Sequence, residues 1–310
     1  MRLYSLRFLS VSLLLLASVI STQAQIFDAS VKRVLFLGNS ITYAAGYVQA
    51  IEAYHKAHFP EHKIEFINAG LPSETVSGLS EEGHADGRFP RPDLHERLDR
   101  VLFQTQADVV FASYGMNDGI YLPLDSARFK KFKEGVEWLH AQIEARGSKI
   151  IHITPSPYDE TKGKKLGYAQ VLDQYSNWLL QHSNWEVIDV HFPMKNYQIE
   201  QQKTDPQFAL ANDGVHPGEL GHWLMAQQIL HYLGQKDILS AHSIIETLPK
   251  SIKNPTAYVQ LIAKRHNLMK DAWLTSIGHK RPEMKKGLPL LEALQLSVEI
   301  DQQIDSLRVP

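Results

Sequence analysis

The chain has 310 residues, 44% of them hydrophobic and 21% charged, with 32 basic against 34 acidic side chains. That apolar share sustains a folded core and excludes disorder as the main state, while a formal net charge of −2 leaves no electrostatic footprint for nucleic acid or an anionic membrane. The 15 His are accompanied by no Cys, which excludes disulfides, thiolate metal sites, iron–sulfur clusters, a cysteine nucleophile and a lipid-carrying cysteine together.

The chain begins with Arg2 and Arg7, then an apolar run from Phe8 to Ile20, then Ser21-Thr22-Gln23-Ala24. A basic start, an apolar middle and a small residue at the cut predict an export signal over residues 1–24, cleaved near Ala24. The run is shorter than the roughly 20 apolar residues of a membrane span, so no stable membrane insertion is expected. The product is expected outside the cytoplasm, periplasmic or extracellular.

From Val31 onward, strand-like and helix-like segments alternate. Val31–Leu37 is an apolar run of strand length stopped by Gly38, and Tyr47–His58 reads as a helix. Ile64–Ile67 is a second strand, a helix is expected near Asp93–Gln104, and Asp108–Ser113 is a third strand. Ser126–Ala145 has apolar residues at helical spacing and stops at Arg146-Gly147. Ile150–Ile153 and Glu186–Val190 supply strands four and five, with a helix at Tyr168–His182 between them and another at Glu219–Leu233. Past residue 236 the strand signals stop, and Thr256–Leu274 and Leu290–Leu307 read as helices joined by the polar stretch Gly278–Gly287. The expected division is a catalytic domain at 25–236 and a helical extension at 237–310 packed on it.

Short apolar strands alternating with amphipathic helices predict an α/β fold, a mostly parallel five-stranded sheet covered on both faces. The reactive loops of such a sheet lie at the carboxyl ends of its strands. The first strand runs into Gly38-Asn39-Ser40-Ile41-Thr42, which presents a Ser at that edge. Far downstream, Asp213-Gly214-Val215-His216-Pro217 puts a carboxylate three positions before an imidazole, a spacing that lets Asp213 hold one ring nitrogen while the other takes the proton of a Ser hydroxyl. Asn68-Ala69-Gly70 ends strand two and Tyr114-Gly115-Met116-Asn117-Asp118 ends strand three. The Ser40 and Gly70 amides with the Asn117 side chain offer three donors for an oxyanion hole. Taken singly, each piece has a plain structural use: a helix cap at Ser40, turns at Asp213-Gly214 and Gly70, a cap at Asn117. Asn39, Tyr43, Asp118 and Tyr158 stand in the strand-end loops as candidate substrate contacts, as does Glu74. The insert Gly78–Pro92, with His84, Asp86 and Arg88, and the tail segment around Trp273 and Gly278–Pro282 are candidate coverings of the sheet edge. The His spacing follows no metal-ligand pattern, and no metal or other cofactor is expected.

Four motifs in fixed order at the expected edge resemble the SGNH (GDSL-like) hydrolase family, named for a Ser, a Gly, an Asn and a His. They match here as Ser40 in GNSIT, Gly70 in NAG, Asn117 in GMND and His216 in DGVHP, over about Val31 to Leu233. The resemblance implies a flavodoxin-like three-layer α/β/α sandwich and metal-independent catalysis. It also implies Ser40 as nucleophile, His216 as base and acid, Asp213 as its orienting partner, and an oxyanion held by Ser40, Gly70 and Asn117. Asn39 departs from the Asp of the GDS form, and NAGLPSET departs from NxGxxGxT at Pro72 and Ser73. The function expected is an exported serine esterase acting through an acyl-enzyme on O-acyl esters, O-acetyl before long-chain, with a small molecule or carbohydrate as partner. A lipase or lysophospholipase-type acylhydrolase and a non-catalytic glycan-binding protein of the same fold are the alternatives.

Overall fold

In the computed structural model, residues 26–309 are described; the expected export signal at 1–24 lies outside the described residues. Five short runs form one parallel sheet, the first four buried along almost their whole length and the fifth, at the edge, only at Ile188: β1 (Arg33–Gly38), β2 (Glu65–Asn68), β3 (Val109–Ser113), β4 (Lys149–Ile153) and β5 (Glu186–Ile188). Their order is β2-β1-β3-β4-β5. Continuous rather than alternating apolar character is what a strand covered on both faces requires.

The helices are α1 (Ser40–Ala44), α2 (Gly46–His58), α3 (Leu98–Thr105), α4 (Ser126–Glu144), α5 (Glu160–Gly163), α6 (Tyr168–Leu180), α7 (His191–Gln202), α8 (Glu219–Tyr232), α9 (Ile244–Thr247), α10 (Pro255–Ile277) and α11 (Leu290–Ser306). The helix expected at Asp93–Gln104 is broken: a 3₁₀ turn at Leu94–Glu96 precedes α3, because Arg97 leaves helical geometry. Helix α7 carries Pro193 and shows only a weak apolar stripe, so its periodicity is hard to read.

Two features of the sheet place the site. The chain reverses its direction of winding between β1 and β3, which opens a crevice at their carboxyl ends. The register then sets Gly38 opposite Ser113 and Phe36 opposite Asn68, so the loops leaving β1, β2 and β3 start side by side. The tail folds back on this unit: α10 packs on α2, β2 and α11. Its tie to α2 is ionic and buried, with the Glu52 carboxylate taking Arg265 at 3.2 Å and His266 at 2.8 Å. Among the described residues no helix is long and apolar enough to cross a membrane.

Candidate active site

Ser40 opens α1 directly after β1, with Asn39 as the cap: Asn39 Oδ1 accepts the Ile41 N–H at 3.0 Å. Starting a helix at this point leaves the Ser40 hydroxyl at the crevice, where its Oγ lies 2.8 Å from Nε2 of His216. The other ring nitrogen, Nδ1, lies 2.6 Å from Oδ2 of Asp213. A carboxylate only accepts, so the ring proton sits on Nδ1 and Nε2 is left to accept from the Ser40 hydroxyl. The second Asp213 oxygen accepts the backbone N–H groups of His216 and Val215 at 2.8 and 2.9 Å. Burial opposes the Asp213 charge, but these hydrogen bonds outweigh it and hold the carboxyl below the usual carboxylate range. Residues 213–216 thus form a closed loop in which one side chain fixes both the backbone and the imidazole. Gly214 is obligatory there: its φ is +80°, and a Cβ would come within 2.4 Å of the Gly163 backbone nitrogen. The Asp159 N–H donates to the Gly214 carbonyl at 3.0 Å and ties this loop to the one after β4.

The donors on the opposite wall differ from expectation at one position. The Gly70 N–H is already engaged, donating to Asn68 Oδ1 at 2.9 Å. Gly70 is glycine for another reason: a Cβ there would lie 2.5 Å from the Tyr43 backbone nitrogen, so it is a contact point between the β2 loop and α1. Three residues on, Ser73 holds a left-handed backbone with φ +68°, and its N–H makes no hydrogen bond among the described residues. The free amide on this loop is therefore that of Ser73, at the position where NxGxxGxT carries its second Gly. Asn117 is buried, its Nδ2 donating to the Glu74 carbonyl at 3.1 Å and its Oδ1 accepting from the Tyr121 hydroxyl at 3.1 Å. One Nδ2 hydrogen is left over.

Four of the candidate substrate contacts are turned inward instead. Asn39 is 3% exposed and spent on the cap of α1. Asp118 is fully buried, one oxygen accepting the Val76 and Ser77 N–H groups and the other that of Gly115, so it pins the segment leading into the insert to the β3 loop. Burial pushes its carboxyl up, against the pull of these N–H groups. Tyr158 is 5% exposed and its hydroxyl accepts the Lys165 N–H. Glu74 is likewise buried, with Arg97 on both oxygens at 2.6 and 2.7 Å and the Tyr114 hydroxyl at 2.7 Å. These short polar residues look alike in sequence whether they face substrate or satisfy backbone; only burial separates the two.

Tyr43 is half-buried, one helical turn beyond Ser40, and is gripped by the tail. Its hydroxyl donates to Asp271 at 3.0 Å, the Lys270 ammonium lies 3.9 Å over its ring, and that ammonium also donates to its carbonyl. Arg281 reaches the Pro72 carbonyl at 3.0 Å. The tail thus holds both α1 and the loop that presents Ser73. Trp273 packs in the core. Among the described residues no group of three or more His, Asp or Glu is arranged to hold a metal ion.

A family model described as GDSL-like Lipase/Acylhydrolase matches residues 36–224. Among solved structures, a gut microbial diltiazem-metabolizing enzyme is 28% identical with a TM-score of 0.54, over 66% of this chain and 47% of that one. This chain therefore spans about half the length of that enzyme. The acetyl xylan esterase AlAXEase is 20% identical with a TM-score of 0.51, over 64% of this chain and 98% of its own. A protein from Parabacteroides merdae described as GDSL-like lipase is 17% identical with a TM-score of 0.51, over 68% of this chain and 99% of its own. The latter two likenesses bear on the fold alone. No curated protein matches the chain in sequence. With the model spanning well over half of its length, the chain belongs to the GDSL-like lipase/acylhydrolase family.

Proposed function

We propose that this chain is an exported esterase that removes short O-acyl groups, O-acetyl above all, from a carbohydrate through Ser40, His216 and Asp213. The observation that carries the reading is the unbroken hydrogen-bonded chain from Ser40 Oγ through the His216 ring to Asp213 at the edge of the sheet. In this reading His216 Nε2 takes the Ser40 proton as Oγ attacks the ester carbonyl. The oxyanion of the tetrahedral intermediate is met by the Ser40 and Ser73 amides and the free Nδ2 hydrogen of Asn117. Collapse expels the alcohol, which receives the proton from His216, and leaves an acyl-Ser40 ester. A water deprotonated by the same imidazole hydrolyses it and restores the hydroxyl. Asp213 stays anionic throughout and offsets the imidazolium charge.

A short acyl group fits the surroundings. The His216 and Asp213 side chains are 49% and 55% exposed, so the reacting centre is open to water, and the walls beside it are polar or hydrogen-bonded. An open polar centre offers a long acyl chain little apolar surface to bury. Export is the reading of residues 1–24 and is checked by cell fractionation.

The test is a comparison of acetate release from acetylated oligosaccharides with fatty-acid release from lysophospholipid. The purified protein is set beside Ser40→Ala. Acetate release that Ser40→Ala abolishes without loss of folding supports the proposal. Preferential fatty-acid release would make the enzyme a lipase-type acylhydrolase, and turnover by Ser40→Ala would remove Ser40 from the mechanism.

A further inference from the structure

The Asn117 amide is held at both ends. The Glu74 carbonyl can only accept and so selects Nδ2, and the Tyr121 hydroxyl then donates to the Oδ1 that is left and fixes its direction. Reversing the amide would set Oδ1 against the Glu74 carbonyl, acceptor against acceptor. Glu74 is itself immobile, fully buried under Arg97.

Tyr121 is immobile for three further reasons. Residues Ile120 and Tyr121 both hold left-handed backbone, φ +48° and +55°, a costly conformation for two successive non-glycine residues that persists only where the surroundings impose it. The Tyr121 ring stacks on Tyr168 at 4.8 Å, and Tyr168 is fixed in turn by donating to the Met116 carbonyl one residue before Asn117. The Arg91 guanidinium lies 5.2 Å from the Tyr121 ring centroid, locked by Glu81 on two bonds of 2.6 Å, and reaches the Ser73 carbonyl at 3.4 Å. One buried cation therefore braces Tyr121 and, through Ser73, the free amide on the facing loop. Burial also pushes the Tyr121 phenol up, so it remains a donor across the working range of pH.

We infer that Tyr121, braced by Arg91, is the positioning residue that aims the Asn117 amide at the developing oxyanion; the inference rests on the esterase reading above. It does not touch the reacting atoms. It restricts the orientation of a group that does, and preorganised donors are effective because they need no reorganisation as charge develops. The strained backbone at Ile120 and Tyr121 is what brings the hydroxyl back over the residue four positions earlier.

The experiment is a double-mutant cycle of Tyr121→Phe and Asn117→Ala on a soluble acetyl ester, with melting temperature recorded for each variant. Phe keeps the ring, its stacking on Tyr168 and its face toward Arg91, and removes only the hydroxyl. Tyr121→Phe is expected to lower kcat about tenfold, a part of the 10²–10³ that loss of a whole oxyanion donor costs. KM should stay within about twofold, with the melting temperature unchanged. In the Asn117→Ala background the same change should cost nothing more. An unaltered kcat, a change confined to KM, or an equal loss in both backgrounds would overturn the inference. Ser40→Ala is run alongside: its turnover would overturn the esterase reading itself, whereas an inactive Ser40→Ala beside an unaffected Tyr121→Phe overturns only the role of Tyr121.

Discussion

The backbone N–H of Gly70 donates to Oδ1 of Asn68 at 2.9 Å, and this bond takes it away from the reacting centre. What Gly70 contributes is closeness, since a Cβ at this position would lie 2.5 Å from the Tyr43 backbone nitrogen in α1. The amide on this loop that makes no hydrogen bond among the described residues is that of Ser73, held at φ +68°, and it is the one proposed for the oxyanion.

This exchange of roles makes two substitutions behave oppositely. Ser73→Gly keeps the amide, relieves left-handed strain of ~1–2 kcal/mol and adds a glycine entropy cost of ~0.5–1 kcal/mol. A small rise in melting temperature with full activity is expected, read by thermal unfolding and acetyl-ester turnover. Gly70→Ala forces a Cβ against backbone and should cost about 1–3 kcal/mol, as overpacking does.

Asp213→Asn tests the closed loop at 213–216. The neutral amide can present a donor where the His216 Nδ1–H now points, which favours the wrong tautomer and withdraws the base. Turnover should fall by a factor on the order of 10³–10⁴ with KM little altered, measured by steady-state kinetics on a protein whose melting temperature is checked. A loss smaller than tenfold would mean that His216 is oriented by its backbone alone.

Asn117→Ala removes the side-chain donor that the proposed mechanism uses as charge develops. A decrease of about 10²–10³ in kcat is expected, with KM close to that of the parent. A pure KM effect would assign Asn117 to ground-state binding.

The Glu52 cluster predicts an acid-sensitive tail. Burial raises the Glu52 carboxyl, but His266, Arg265 and Lys56 outweigh it and bring its pKa down to about 2. A depressed carboxylate contributes stability that is present above its ordinary pKa and lost as pH falls through the folded value. The docking of α10 on α2 should therefore weaken between roughly pH 4.5 and pH 2. Glu52→Gln should cost about 3 kcal/mol at neutral pH, the low end for breaking a buried pair because Asp301 still faces Arg265. Urea melts of parent and variant across pH measure both effects; equal pH dependence in the two would remove Glu52 as the cause.

Much of the molecule was legible in advance because its signals are local. Apolar runs of strand length separated by amphipathic helices dictate a covered parallel sheet, and the sheet says which loop ends matter. Ser40 after a strand and Asp213 three residues before His216 are readable because strand termination and a tight Asp-Gly turn depend on neighbours in sequence. The long tail helices were readable by the same logic, from the loss of strand signals past residue 236 and the polar stretch Gly278–Gly287 that separates them.

Tertiary structure decided whatever depends on what a side chain meets across the fold. In sequence, Gly70 and Ser73 are two small residues of one loop; Asn68 and α1 decide which of them keeps a free amide. Asn39, Asp118, Tyr158 and Glu74 carry the polarity of substrate contacts, yet burial among unsatisfied backbone N–H groups and a buried Arg commits each to structure. Tyr121 and Arg91 lie 30 positions apart, and only the folding of the insert onto the β3 loop makes them one support. Local patterns encode where backbone turns, whereas the pairing of donors with acceptors is settled by which distant groups the fold brings within 3 Å.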